Sequence, residues 1–258
     1  MTGVPRAWSV TFRLLFLQGA WNFRRFQNIG WAWSLQPALR AIYPDPARHA
    51  RALRRHLELF NTHPVMASFL AGALLKAESG LAHAEADLEA ESRLSTVKVG
   101  WMSPLAGLGD TFFWSGVRPL AGILGVGWAW LGPRPAIYLA PWLLLLAYNP
   151  VALLFRVWGL RSGWREGWGL GARLHRLGLP RLVEALRSMA FCVVAGMGVC
   201  LGRFAHPVTG EAVPMLDNFL FVGSGFLMLL LLRLRVHPLA VLGLAMAAGL
   251  LSAQDLGR

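Results

Sequence analysis

The densest chemistry in this chain lies between Lys98 and Pro119. One acid, Asp110, and one arginine, Arg118, stand there among apolar side chains, with Trp114 midway between them. Ionisable groups at membrane depth are expensive, so they are usually paired or functional. The same stretch carries two prolines, Pro104 and Pro119, and four glycines, Gly100, Gly107, Gly109 and Gly116. These residue types predict interrupted helix, and irregular backbone at membrane depth survives only where it is buried in protein or lines a cavity. The segment is therefore expected to be re-entrant and to form a polar site or gate. On continuous helix, Asp110 and Arg118 would share a face about 12 Å apart. Two readings stand side by side. One is a polar group in a substrate path, the other an ion pair or helix cap that holds a re-entrant turn.

A second group consists of amides. Gln18, Asn22, Gln27 and Asn28 accompany Trp21 and Trp31 on an otherwise apolar and aromatic stretch. Planar donors and acceptors beside an indole face suit a sugar, whose hydroxyls bond while its ring stacks. Spacing alone favours the plainer role of interhelical hydrogen bonding. His49, His56 and His63 recur every seven residues. Helical metal ligands need i, i+3 or i, i+4 spacing, so no metal site is expected. No zinc-protease, nucleophile-elbow, dithiol or phosphate-loop pattern occurs, and Gly107-Leu108-Gly109 lacks the third glycine of a dinucleotide fingerprint. The residues thus offer no catalytic group and imply no cofactor.

The elements that must position these groups follow from composition. Of 258 residues, 55% are hydrophobic and only 15% charged, with a formal net charge of +12. A soluble domain is nearer a quarter charged. Lys76 and Lys98 are the only lysines, and Trp outnumbers Tyr by 12 to 3. Arginine-rich loops and tryptophan belts belong to membrane proteins, so the basic excess is assigned to the bilayer and not to nucleic acid. Cys192 and Cys200 stand two helical turns apart, too far for a disulfide. The apolar core Leu14–Leu17 is too short for a signal peptide.

Residues 9–30 read as an amphipathic helix with Phe12, Phe16, Phe23 and Phe26 on one arc and Arg13, Arg24 and Arg25 away from it. That pattern suits an interfacial helix. Asp45-Pro46 reads as an N-cap and first helical residue, opening a basic helix that stops at Asn61-Thr62-His63-Pro64. Residues 65–75 form a short apolar helix, and 76–96, with Glu78, Glu85, Asp87, Glu89 and Glu91, a polar helix or linker in water. Hydrophobic segments follow at about 117–131, 135–158, 188–202 and 216–232, with a fifth at about 236–251. The arginine-rich loop from Arg156 to Arg187 is placed in the cytoplasm, with His206–Asp217 outside and Arg233 and Arg235 inside again. Gly122, Gly125 and Gly127 suggest close helix packing. The expected fold is all-α and polytopic. Residues 1–97 form an amphipathic, basic helical region at the cytoplasmic face. Residues 98–258 form a membrane-embedded region with the re-entrant segment and four or five hydrophobic helices.

Three separated motifs then carry a resemblance. Leu17-Gln18-Gly19-Ala20-Trp21-Asn22-Phe23, the run from Arg54 to Pro64, and Pro104–Asp110 with Trp114 and Val117-Arg118-Pro119 resemble the IID subunit of the mannose/fructose/sorbose-type phosphotransferase system. The likeness continues to Met215-Leu216-Asp217 and Arg235–Leu239. It departs at Thr111, where familiar members often have proline, and at Ser103, where glycine is common. The resemblance implies an inner-membrane subunit that pairs with a IIC subunit to carry a hexose inward while IIB, supplied by IIA, phosphorylates it. It places the phosphorylated histidines on IIA and IIB. The expected substrate-binding residues are Asn22, Asn61, Asp110, Trp114 and Arg118, with Gln18 and Trp21 behind them. The rival expectation is a non-transporting membrane scaffold in a partial phosphotransferase system.

Overall fold

The computed structural model describes residues 3–83, 88–131, 138–176, 178–201 and 223. Its described backbone is helical apart from turns, short loops and two isolated bridges, Asn22 with Phe26 and Phe26 with Phe60. The helices run in order as α1 (Ala7–Arg13), α2 (Asn28–Ile42), α3 (Pro46–His56), α4 (Ala67–His83), α5 (Leu88–Gly109), α6 (Arg118–Leu131), α7 (Ala140–Glu166), α8 (Leu170–Arg176) and α9 (Leu179–Leu201). Met1–Met189 form one compact unit. The expected segments 216–232, apart from Gly223, and 236–251, the external loop, and the motifs at Met215–Asp217 and Arg235–Leu239 lie outside the described residues.

Helix α4 is the centre of the unit. Every residue from Ala67 to Leu75 is buried. It packs along α7, and glycines set how closely. A Cβ on Gly72 would lie 2.1 Å from the Leu160 carbonyl oxygen, and one on Gly163 would lie 2.0 Å from that of Phe69. Gly159 likewise faces Ser68 and Phe69. Small residues four apart let two backbones approach, the device that packs helices where lipid removes the hydrophobic drive. Between α6 and α7, Gly125 has a neighbouring backbone against it, the Ala140 carbonyl at 3.1 Å, whereas a Cβ on Gly122 would meet nothing among the described residues. Among the described residues, one helix, within Ala140–Arg176, is long and apolar enough to cross a membrane.

Three expectations change. The helix expected over 9–30 stops at Arg13, and α2 starts only at Asn28. Between them Asn22 and Phe26 exchange backbone hydrogen bonds of 3.0 and 2.9 Å, and the Asn22 carbonyl side chain accepts the Arg25 N–H at 2.9 Å. Phe26 closes this tight loop at φ +55°. An asparagine that bonds its own backbone offers the chain an alternative to helix, and here the alternative wins.

The interruption expected across 98–119 is absent. Helix α5 passes into a π-helical segment, Asp110–Val117, and on into α6. A π turn widens the helix, which gives the Pro119 ring room that a tight α turn would deny it. Where the bonding register changes, a carbonyl can be left short of a donor. Thr111 Oγ1 donates to the Gly107 carbonyl at 2.7 Å, which meets that need locally.

The polar helix or linker expected in water over 76–96 is helix, up to His83 as the continuation of α4 and from Leu88 as α5, but Glu78 within it is fully buried and not in water. The cap at Asp45 forms as expected, its carboxylate accepting the Arg48 N–H at 2.7 Å with Pro46 in the first turn.

Candidate functional site

The π-helical segment presents two faces. Phe112, Phe113, Gly116 and Val117 are buried, while Asp110, Thr111, Trp114 and Ser115 are exposed. The buried face rests on His63, whose ring stacks on Phe113 at 5.0 Å and 9° and meets Trp114 edge-on at 6.1 Å. Gly109 is required there, because a Cβ would sit 2.3 Å from the His63 Cβ. Burial, and then the nearby Arg156 charge, push the His63 imidazole down to about 4, so it packs as a neutral ring.

On the exposed face Arg118 lies over the Trp114 ring, 4.5 Å from its centroid. An ion pair of Arg118 with Asp110 is one of the two readings the sequence leaves open. Instead the guanidinium is held by an indole one helical turn back, a cation–π contact. Among the described residues no cation pairs with Asp110. The surface thus carries an unpaired carboxylate, an aromatic face and a guanidinium within about two turns. A carboxylate accepts hydroxyl hydrogen bonds and an indole stacks on a sugar ring, so this face can recognise a polyhydroxylated ligand or a polar group of a partner protein.

The loop between α3 and α4 docks on the same helix. The Asn61 N–H points to Met102 Sδ at 3.2 Å, and Thr62 Oγ1 donates to the Met102 carbonyl at 2.9 Å. The Asn61 side chain is exposed. Asn61, Asp110, Trp114 and Arg118 are therefore tied into one neighbourhood through Met102, Gly109 and His63.

The first amide group anchors to the other part of that loop. Gln27 bonds the Thr62 backbone reciprocally, donating to its carbonyl at 2.9 Å and accepting its N–H at 3.0 Å. Asn28 donates to the Leu57 carbonyl at 2.6 Å. Asn22 donates to Asn28 Oδ1 at 2.8 Å and to the Phe26 carbonyl at 3.2 Å. Trp31 stacks on Phe60 at 3.9 Å and 11°. These amides shape and hold the 57–62 segment. Gln18 is exposed, and Trp21 packs edge-on against Phe23 at 4.8 Å.

Behind the site lies an ionic cluster that no local pattern announced. Glu78 accepts from Arg55 Nε at 2.8 Å and Nη2 at 2.6 Å, from His56 Nε2 at 2.9 Å, and from the Tyr43 hydroxyl at 2.8 Å. Arg55 also bonds Glu91 at 2.9 Å. Lys98 donates to the Arg55 carbonyl and to Glu58. The Trp31 indole N–H donates to His56 Nδ1 at 3.3 Å, which leaves the proton on Nε2, facing Glu78. Burial alone would raise the Glu78 carboxyl, but the hydrogen bonds from Arg55 and His56 hold it down to about 2. Burial lowers His56, against the pull of Glu78, so this ring is neutral too. The cluster ties α3, α4 and α5 together and fixes the helix that becomes the π segment.

Among the described residues, fold and site together define a helical chain with one helix long and apolar enough to cross a membrane and with exposed polar groups set on another helix. The comparisons with known proteins identify its family. The family model of the mannose/fructose/sorbose phosphotransferase system IID component matches residues 5–253. The chain is similar to the mannose-specific EIID component of Escherichia coli K12, at 36% identity over 199 residues, covering 76% of this chain and 67% of that protein. It is similar at 28% over 252 residues to the sorbose-specific EIID component of Klebsiella pneumoniae, covering 89% and 88%. It also resembles a chain in the cryo-electron microscopy structure of the mannose transporter ManYZ with microcin E492, with a TM-score of 0.56, 31% identity and coverage of 96% and 95%. The chain belongs to the IID component family of the mannose/fructose/sorbose phosphotransferase systems.

Proposed function

We propose that this chain is the IID membrane subunit of a mannose-type, phosphoenolpyruvate-dependent sugar phosphotransferase system. With a IIC subunit it forms the path for a hexose, which IIB phosphorylates on entry using phosphate from IIA. The chain contributes no phosphorylated or catalytic residue of its own. It resides in the bacterial inner membrane as a multi-pass protein, residues 1–97 at the cytoplasmic face and 98–258 embedded, with arginine-rich loops in the cytoplasm. Family membership supports the transport role, and the chain's similarity to a chain of the ManYZ transporter supports a membrane partner.

One observation carries the site. Asp110 is exposed and without a cationic partner among the described residues, on a π-helical segment set in apolar helix, beside Trp114 and Arg118. An ionisable group in such a setting needs a partner outside the chain. Asp110 accepts sugar hydroxyls or a IIC donor, Trp114 walls the path, Asn61 donates and accepts from the loop, and Arg118 faces a IIC group. Asn22 acts by holding the loop that carries Asn61, with Gln18 and Trp21 beside it. The test is replacement of Asp110 by Asn and by Ala in the chain co-expressed with its IIC, IIB and IIA, followed by uptake of a labelled hexose panel. Loss with Ala and partial retention with Asn is expected, and unchanged uptake in both removes Asp110 from the site.

A further inference from the structure

A cavity of about 420 Å³ lies between α1 and α2, lined by Arg6, Arg13, Gln36, Pro37, Arg40 and Ala41. Arg6, Arg13 and Arg40 line it and, among the described residues, no acid does. Arg13 is already fixed: Nη1 donates to the Trp33 carbonyl at 2.9 Å and to Gln36 Oε1 at 3.1 Å, and its guanidinium lies 4.6 Å from the Trp33 ring centroid. Arg6 holds a left-handed backbone at φ +52°, a conformation that costs a residue with a side chain and persists only where the surroundings demand it. Among the described residues no acid pairs with Arg6 or Arg40. A second arginine-rich cavity, with Arg161, Arg165 and Arg173, differs because Glu166 lines it.

We infer that Arg6, Arg13 and Arg40 form a binding site for a phosphate group. Three separate guanidinium forks match the several oxygens of a phosphate better than the two of a carboxylate. The surroundings favour a phospholipid headgroup as the source. Phe12, Phe16 and Trp33 stand exposed in a row that ends on Arg13, with Phe12 against Phe16 at 5.4 Å and Phe16 against Trp33 at 6.3 Å, and Trp8 is exposed earlier on α1. Aromatic rings beside arginines are the composition of a membrane interface, where rings sit at headgroup depth and cations meet lipid phosphate. The site is independent of sugar transport, so its test stands or falls separately from that reading.

The test is native mass spectrometry of the full chain in detergent, with phosphatidylglycerol or phosphatidylcholine added at equal concentration. Soluble glycerol phosphate and inorganic phosphate are added in separate arms. The wild type is expected to retain phosphatidylglycerol over phosphatidylcholine. Arg6→Gln and Arg40→Gln should each weaken that retention about tenfold, the loss of one charge-assisted hydrogen bond. Arg161→Gln, in the other cavity, should leave it unchanged. Arg6→Lys and Arg40→Lys keep the charge and report on folding, and are expected to retain the lipid. Displacement of the lipid by glycerol phosphate at millimolar concentration would make a soluble phosphate the natural source while keeping the site. Equal retention of both lipids with no effect of either soluble phosphate, or Gln variants that bind as the wild type does, overturns the inference.

Discussion

Replacing Glu78 by Gln is the sharpest perturbation of the site's support. The carboxylate receives four hydrogen bonds, from Arg55 Nε and Nη2, His56 and Tyr43, and it is fully buried. Glutamine keeps one acceptor oxygen and turns an NH2 group toward donors. It also leaves Arg55, itself 8% exposed, with Glu91 as its one counter-ion among the described residues. Breaking one side of a buried ion pair costs about 3–5 kcal/mol. The hydrogen bonds from Arg55 and His56 that hold the Glu78 carboxyl down to about 2 act in the same direction. For a chain of this size that cost is a fall in Tm on the order of 10 °C. The sign with pH follows from linkage. A depressed carboxyl contributes stability that is present above 4.5 and is lost as pH falls toward about 2. His56, lowered by burial, adds loss in the same direction once pH drops below its ordinary 6.5. The assay is thermal unfolding of the purified chain in detergent, followed by tryptophan fluorescence, across pH 3 to 8. The wild type should lose stability steeply on acidification, and Glu78→Gln should start lower and respond less. A Tm within about 2 °C of wild type at neutral pH, or an undiminished acid slope in the variant, would refute the reasoning.

Other outcomes follow from the same contacts. Gly163→Ala places a methyl 2.0 Å from the Phe69 carbonyl oxygen and should destabilise by about 1–3 kcal/mol. Gly100→Ala, on α5 with nothing near its added methyl, should stabilise by about 0.5–1 kcal/mol, so opposite signs in one unfolding assay test the packing of α4 on α7. Asn22→Ala removes three hydrogen bonds and should cost about 1–3 kcal/mol, while Gln18→Ala at an exposed position should leave Tm unchanged. Trp114→Ala frees Arg118 and should reduce uptake in the assembled system, whereas Trp114→Phe keeps a ring under the guanidinium and should retain most of it.

The sequence made some of this legible and hid the rest for physical reasons. Asp45-Pro46 is a local device, and the cap it predicts is present. Asp110, Trp114 and Arg118 stood out because charge is rare in apolar sequence, and the structure keeps Trp114 and Arg118 in contact. Pairing Arg118 with Asp110 overlooked the indole four residues before it. The π segment has no signature of its own, since widened helix and broken helix draw on the same glycines and prolines. Glu78 read as solvated because its partners lie 22 to 35 residues away in sequence, at His56, Arg55 and Tyr43. Gly159 and Gly163 did carry a readable signal, small residues four apart on an apolar helix, and that spacing points to the α4 contact now seen. The amides of the first segment resembled a sugar site in type, but each of Asn22, Gln27 and Asn28 is engaged by neighbouring protein.

The central claim is that this chain supplies part of a hexose path. It is tested most directly by co-expressing the chain with its IIC, IIB and IIA partners and measuring uptake and phosphorylation of a labelled hexose panel, with and without this subunit. At least one hexose should be taken up, and that uptake should disappear when the chain is omitted. A stable complex of the chain with IIC that takes up no hexose would contradict the claim and leave the scaffold reading in its place.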